Sequence, residues 1–371
     1  MTAGMRWCLF FRPKVPPAPT PDATSAVPER LPSSTTVRGG GLRRNPPGSS
    51  GYSAATRILH KPTPMRTLHP RAFSVSVAWT LGLLFLGSVV HATHSSLACP
   101  DWPTCFGTMV PEMSGGVFWE HLHRLVAGGL LLLWGLATWL AWKEAGGRPW
   151  VRRGAAAGVA LLVIQSVFGG LTVLFRLPDL VSTTHLGLAL LFLGLATSLA
   201  SSAAWAARMG APHPEVARGL WRWSVAGGAL VFLQSVLGGL VRHTDSGLAC
   251  PDVPLCMGHL VPPLGNGFVA LHFAHRTLGY AVALVVLAMA AWAVRRGAPA
   301  AVRSWTGWAA VLVLLQVGLG FLSVTTRLEV VPVSLHTLVA ASLLAVMVHL
   351  ATTGRIWGEA ARSAPSAGTR A

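Results

Sequence analysis

Four histidines, His123, His185, His275 and His336, sit inside apolar runs long enough to cross a membrane. An ionisable side chain at such a depth is costly and is a functional candidate by default. The four also keep register. His123-Arg124 recurs as His275-Arg276 at an offset of 152, and His185 recurs as His336 at 151. Each lies one to two turns into its run, all at similar shallow depths below the same face. Two imidazoles on neighbouring helices at one level can hold a haem iron between them, so the pattern predicts two haem sites, His123 with His185 and His275 with His336. The competing metal is zinc, but a closed zinc site wants four close ligands with Cys or carboxylate company, and two separated pairs suit haem better. Any one of these histidines alone would read as a hydrogen-bonded interfacial residue.

Other reactive types repeat around them. Leu-Ala-Cys-Pro-Asp-Trp-Pro-Thr-Cys at 97–105 returns as Leu-Ala-Cys-Pro-Asp-Val-Pro-Leu-Cys at 248–256. In an oxidising compartment Cys99 with Cys105, and Cys250 with Cys256, can each form a disulfide, as a loop staple or as a redox-active pair. Arg124 and Arg276 follow proposed ligands, while Arg176 and Arg327 repeat at 151. Their guanidinium groups suit haem propionates; interfacial snorkelling is the alternative. Aligning the histidines sets Glu120 opposite His272, each three residues before a ligand and on its face of the helix. A carboxylate there could manage protons, or simply answer the dipole of a helix start. Gln165 recurs as Gln316. The stretches Gln-Ser-Val-Phe-Gly-Gly-Leu at 165–171 and Gln-Ser-Val-Leu-Gly-Gly-Leu at 234–240 carry paired glycines. Gly169, Gly170, Gly238 and Gly239 let helices approach closely and would also give a flat macrocycle room.

The elements that must position these groups are membrane helices. With 52% apolar and 11% charged residues, the chain is too oily for a soluble domain of its length. Eight apolar stretches, near 72–91, 117–141, 151–175, 181–205, 219–241, 268–293, 301–326 and 332–354, can each span the bilayer. The fold expected is an all-α membrane protein of two tandem four-helix repeats, 71–208 and 209–356, related by a pseudo-twofold along the membrane normal. Arginines and Lys143 gather between helices 2 and 3, 4 and 5, and 6 and 7, whereas the loop after helix 1 has no Lys or Arg between Arg71 and Arg124. The basic loops should be cytoplasmic, both termini inside, and the cysteine loops and histidines toward the outer face. Much of the +17 charge lies in residues 1–70, rich in Arg, Pro and Ser. That segment reads as a disordered tail, either a transit peptide or sequence ahead of a start at Met65. It lacks the clustered regularity of a nucleic-acid arm. Residues 357–371 read as a second disordered tail.

Taken together, the Cys-Pro-Asp-Trp-Pro-x-Cys loop, Glu-x-x-His-Arg at 120–124, His-x-x-His-Arg at 272–276 and the later His185 and His336 resemble the haem A synthase family over about residues 72–354. The resemblance implies an eight-helix bundle that oxidises the C8 methyl of haem O to the formyl of haem A for terminal cytochrome oxidases. It makes His123, His185 and Glu120 the haem O site and His275 with His336 a haem b site that relays electrons. It links the first-loop cysteines to activity and makes the second pair structural. In place of the usual Gly-containing turn, the first copy has Thr-His-Ser-Ser at 93–96 where the second has Thr-Asp-Ser-Gly at 244–247, so His94 and Ser96 are departures. The basic tail is not part of the family pattern.

The mechanism expected is two successive hydroxylations of one methyl, giving a geminal diol that loses water to the aldehyde. Expected partners are haem O, membrane lipid, a haem O synthase and an electron donor, with no nucleic acid; homo-oligomer formation is left open. The expected location is the bacterial plasma (inner) membrane, or alternatively the mitochondrial inner membrane. Two other classes remain: a transmembrane cytochrome b, which would normally stack haems near opposite faces, and a quinone-coupled thiol oxidoreductase, which needs no registered histidines.

Overall fold

The computed structural model describes residues 68–144, 148–201 and 214–363. Among the described residues eight α-helices follow one another: α1 (His69–Ala92), α2 (Gly115–Glu144), α3 (Pro149–Leu174), α4 (Asp179–Ala200), α5 (Pro214–His243), α6 (Gly267–Arg295), α7 (Ala300–Thr325) and α8 (Val330–Ser363). Each is long and apolar enough to cross a membrane. In hydrocarbon every backbone N–H and C=O needs a protein partner, and a helix supplies it within one segment, which is why these apolar runs become helices and nothing else. The remaining regular pieces among the described residues are small: a 3-10 turn at Ser246–Leu248 and two isolated bridges, Cys105 with Thr108 and Cys256 with His259.

Helix ends follow from local chemistry. Pro70 and Pro149 sit in the first turns of α1 and α3, where a missing N–H breaks no helical bond. α3 and α7 end alike: Leu177 N–H reaches Thr172 O at 2.7 Å and Leu328 N–H reaches Ser323 O at 2.7 Å. This cap needs a left-handed residue just past the helix, normally Gly. Here Arg176 (φ 56°) and Arg327 (φ 54°) fill it, at a cost of order 1–2 kcal/mol each.

The backbone repeats locally at the sequence offset. His94 and Asp245, Phe106 and Met257, Arg176 and Arg327, and Leu177 and Leu328 are pairs of positive-φ residues 151 apart. His94 and Asp245 share φ 55°, so His94 takes the left-handed conformation that Asp245 takes in the second copy, where the chain then runs on into the 3-10 turn.

Consecutive helices pack as neighbours, and the two sets of four meet along α1, α4, α5 and α8. The eight helices form one compact unit, with contacts crossing the expected boundary between halves. One core lies among α1 to α4 around Phe73, Trp134 and Phe192. The other runs through the seam and the second set, with Leu193, Leu220, Met289, Met347 and Leu350 buried.

The end of the chain departs from expectation. A disordered tail was expected from 357, yet α8 continues to Ser363. Beyond the apolar run, Gly354 lies against the α5 backbone at Ala217 and Trp221, and Trp357 is buried in the core. That packing carries the helix on, helped by an exposed Arg355–Glu359 pair one turn apart. The expectations for residues 1–67 and 364–371 lie outside the described residues.

Candidate functional site

Each of the four histidine rings rests on a glycine of the preceding helix. A Cβ built on Gly87 of α1 would stand 3.0 Å from Cε1 of His123, one on Gly169 of α3 3.0 Å from His185, one on Gly238 of α5 2.7 Å from His275, and one on Gly320 of α7 3.2 Å from His336. Any larger residue would push the ring away, so these four glycines set where the imidazoles stand. Two of them correct an expectation: Gly169 and Gly238 make room for histidine rings. Their partners do other work. Gly170 lies under the indole of Trp102 and Gly239 against Leu186.

His123 of α2 stands on α1 and His185 of α4 on α3, and His275 of α6 and His336 of α8 repeat this on α5 and α7. Three of the four rings are braced by glutamines. His185 Nδ1 is 3.1 Å from the Gln165 carbonyl, and Gln165 Nε2 is 3.5 Å from His185 Nε2. Gln234 Nε2 is 3.0 Å from His275 Nδ1 and also donates to the His275 carbonyl at 2.8 Å. Gln316 Nε2 is 3.1 Å from His336 Nε2. His123 is the exception. No hydrogen bond holds its ring among the described residues, and Leu83 stands where the repeat offset would place the counterpart of Gln234.

These surroundings fit a haem held by imidazoles. Nδ1 of His123 and of His336, and Oε1 of Gln165, Gln234 and Gln316, are buried with no partner. A buried unsatisfied polar group costs about 1–3 kcal/mol, and five of them around four registered rings mark a place built to meet something polar. A histidine that binds a metal through one nitrogen is normally oriented by a hydrogen bond at the other, which the Gln165 carbonyl supplies to His185.

The cysteine loops are clamped onto the helices that carry His123 and His275. Both expected disulfides are present, Cys99–Cys105 and Cys250–Cys256. Inside each ring an aspartate folds the loop. Asp101 accepts from Phe106 N–H at 2.6 Å and Gly107 N–H at 2.9 Å, and also bonds Thr104. Asp252 accepts from Met257 N–H at 2.6 Å and Gly258 N–H at 2.8 Å. The Thr104 hydroxyl, with the Gly107 amide, holds the Asp101 carboxyl below its usual value, and the Gly258 amide does the same for Asp252.

The arginines after the histidines reach into these loops. Arg124 donates to the carbonyls of Asp101 (2.8 Å) and Thr104 (2.5 Å), and to Glu120 at 2.5 Å. Arg276 donates to the carbonyls of Asp252 (2.7 Å), Leu255 (2.7 Å) and Cys250 (2.6 Å), and to His272 at 3.1 Å. These donors were expected on propionates; the loop carbonyls take them, because one residue after each histidine, and one turn after Glu120 and His272, the side chain is carried round to the loop. Glu120 and His272 do matching work from opposite chemistries. Glu120 Oε2 accepts from Cys99 N–H at 2.8 Å, and His272 Nδ1 from Cys250 N–H at 3.3 Å. Both oxygens of Glu120 are therefore engaged, one by the loop and one by Arg124.

Arg176 and Arg327 remain exposed at the caps of α3 and α7, at the same end of the bundle as the cysteine loops, with no ion pair among the described residues.

Two features were not read in the sequence. His121, opposite Phe273 in the repeat, is buried beside the first disulfide, with a ring nitrogen within 4.8 Å of both sulfurs. Its Nε2 meets the Met109 carbonyl at 3.1 Å and its Nδ1 has no partner. The signal was the substitution of His for Phe between the copies. The second is a basic group at the seam, His91, Arg242 and His243, which the sequence disguises as ordinary charge at the end of an apolar run.

A family model described as cytochrome oxidase assembly protein, COX15-CtaA, matches residues 112–348, from just before α2 to the middle of α8. The chain belongs to this family. A protein of Symbiobacterium thermophilum named haem A synthase is 31% identical over 284 residues, 74% of this chain and 90% of the relative. Those of Geobacillus kaustophilus (30% over 284 residues, covering 74% and 88%) and Halalkalibacterium halodurans (28% over 273 residues, covering 72% and 91%) carry the same name. The chain is thus an integral membrane protein of the haem A synthase family, whose members are enzymes of haem A biosynthesis.

Proposed function

We propose that the chain is a haem A synthase, an oxidoreductase that converts the C8 methyl of haem O to the formyl of haem A for a terminal cytochrome oxidase. The observation that carries this is the matched setting of His123, His185, His275 and His336, four imidazoles seated on four glycines in two pairs. In this reading His123 and His185 hold the substrate haem O, and His275 and His336 hold a resident haem b that passes electrons. A bound haem supplies iron for successive hydroxylations of the methyl. The chain's own residues place that iron, exclude water and fix the macrocycle.

Gln165, Gln234 and Gln316 orient the rings. Glu120 is a positioning residue: bonded to Cys99 and Arg124, it fixes the first loop above His123, and it reaches a proton of the substrate only by leaving Arg124. Arg124 and Arg276 anchor the loops. Arg176 and Arg327, with free donors at the loop end, meet propionates. The basic loops put both termini in the cytoplasm and the cysteine loops outside, the two sets of four helices being related by an axis along the membrane normal. The membrane is the bacterial plasma membrane, where a haem O synthase delivers substrate and a separate donor supplies electrons.

The test is co-expression with a haem O source followed by chromatography of extracted haems. Wild type yields haem A; His123→Ala and His185→Ala leave haem O, with haem A down more than about a hundredfold. Haem A at wild-type levels in both variants would overturn the assignment. A cytochrome would return haem B alone and a thiol oxidoreductase no haem.

A further inference from the structure

The last turns of α1 and α5 bring together three basic side chains that belong to neither histidine pair. The rings of His91 and His243 meet edge to face at 5.2 Å between centroids. Arg242 reaches from α5 to α1, donating to the Ser88 hydroxyl and carbonyl, both at 3.1 Å. Ser88 also meets Thr337 of α8 at 3.2 Å, and His243 Nδ1 meets Thr183 of α4 at 3.1 Å. The cluster therefore touches all four seam helices.

Every one of these hydrogen-bond partners is neutral. Among the described residues Arg242 has no carboxylate within ion-pair distance. The nearby acid is Asp245, exposed in the following loop and acting on His243, while His94 adds a further basic group beside His91. A guanidinium held inside a membrane bundle by two contacts to one serine is under-compensated, and such residues pair with an anion or mark a ligand path.

Position says which anion. Ser88, which holds Arg242, meets Thr337, the residue after His336, and Thr183, which meets His243, lies two residues before His185. The cluster thus stands between the two pairs. Arg242 is one residue from the end of α5, and Ser88, which holds its guanidinium, is four residues from the end of α1, whereas His336 is six residues into α8, so the guanidinium lies on the loop side of that histidine's position. Haem presents two carboxylates from one edge of the ring.

We propose that Arg242, flanked by His91 and His243, is a carboxylate-binding site that receives a propionate of the haem held by His275 and His336. This deepens the haem reading given above and rests on it. Arg242 supplies a fixed cation and two-pronged donor geometry. His91 and His243 line the seam that separates this propionate from the haem O site. The second copy has Arg242 where the first has His91 at the repeat offset, so the strong cation serves one pair only.

The experiment titrates the full chain, prepared from haem-limited cells, with iron protoporphyrin IX and with its dimethyl ester, which lacks the carboxylates. The readout is the Kd of each from the Soret band of the bis-histidine form. Arg242→Gln should reduce the preference for the free acid over the ester by about tenfold, and Arg242→Lys should keep most of it. The ester is an internal control for folding. A ratio unchanged in Arg242→Gln overturns the proposal, as does equal weakening of both ligands. A wild-type spectrum that survives His275→Ala overturns the histidine reading beneath it.

Discussion

The two histidine pairs share one scaffold, and the difference between them is how firmly it grips. In the C-terminal pair both rings meet a glutamine, Gln234 and Gln316. In the N-terminal pair only His185 does; no hydrogen bond holds the His123 ring among the described residues, and Leu83 takes the repeat position of Gln234. A resident cofactor favours a rigid cradle. A substrate that must enter and a product that must leave favour a site with one ligand free to yield. The residues around the first turns of α2 and α6 and in the loops differ too: Glu120, His121 and Trp102 stand where the second copy has His272, Phe273 and Val253.

The largest effect expected from this contrast is at the glycines. Gly238→Ala sets a Cβ 2.7 Å from His275, tighter than the 3.0 Å at Gly87 and His123. Overpacking of this kind costs about 1–3 kcal/mol. Gly238→Ala should strip low-spin haem from the purified protein at least tenfold, measured by pyridine haemochrome. Gly87→Ala should keep that haem and lower haem A yield. Equal loss of low-spin haem from both would erase the distinction between the pairs.

Exchanging the braces sharpens it. Gln234→Leu copies the first half into the second and should weaken haem retention by roughly 10–100-fold, the usual effect of losing a group that orients a metal ligand. The reverse change, Leu83→Gln, should make the first site hold its haem longer, seen as product retained on the enzyme in single-turnover chromatography. A Gln234→Leu protein with unchanged haem affinity would show that bracing is not what separates the sites.

The smallest effect is a property the halves share. Both loop aspartates are held below their ordinary carboxyl value of 3.8. A depressed value in the fold contributes loop stability above that pH, and the contribution is lost as pH falls through the lower folded value. Hydrogen exchange at the Phe106, Gly107, Met257 and Gly258 amides should stay slow from neutral pH to about 5 after correction for intrinsic rates, and rise together only below about 4. Loss of protection in the first loop alone at higher pH would reveal a divergence that the hydrogen bonds do not show.

The helices and the matched placing of the four histidines were legible in the sequence because each rests on a signal of its own. Eight apolar runs can do little but span a membrane, and a register of 151 to 152 residues singles out His123, His185, His275 and His336. What a polar side chain touches was less legible. Arg124 and Arg276 read as propionate partners because they follow ligands, yet one residue is a rotation of about 100° on a helix, and it turns them to the loops. Gly87 and Gly320 drew no notice because their role depends on a ring from another helix. The seam cluster joins residues from α1, α4, α5 and α8 that do not repeat in type, so the duplication that exposed the ligands concealed it.

Gly169 and Gly170 are neighbours in one turn of α3, yet one takes the imidazole of His185 from α4 and the other the indole of Trp102 from the first loop. The helix is therefore a common floor for the His185 ring and for the disulfide loop above it. Lifting the loop would unload one tile of that floor and free the tile beside it to shift. Whatever chemistry stirs Cys99 and Cys105 is thereby wired, through two adjacent residues without side chains, to the seat of the His185 ring.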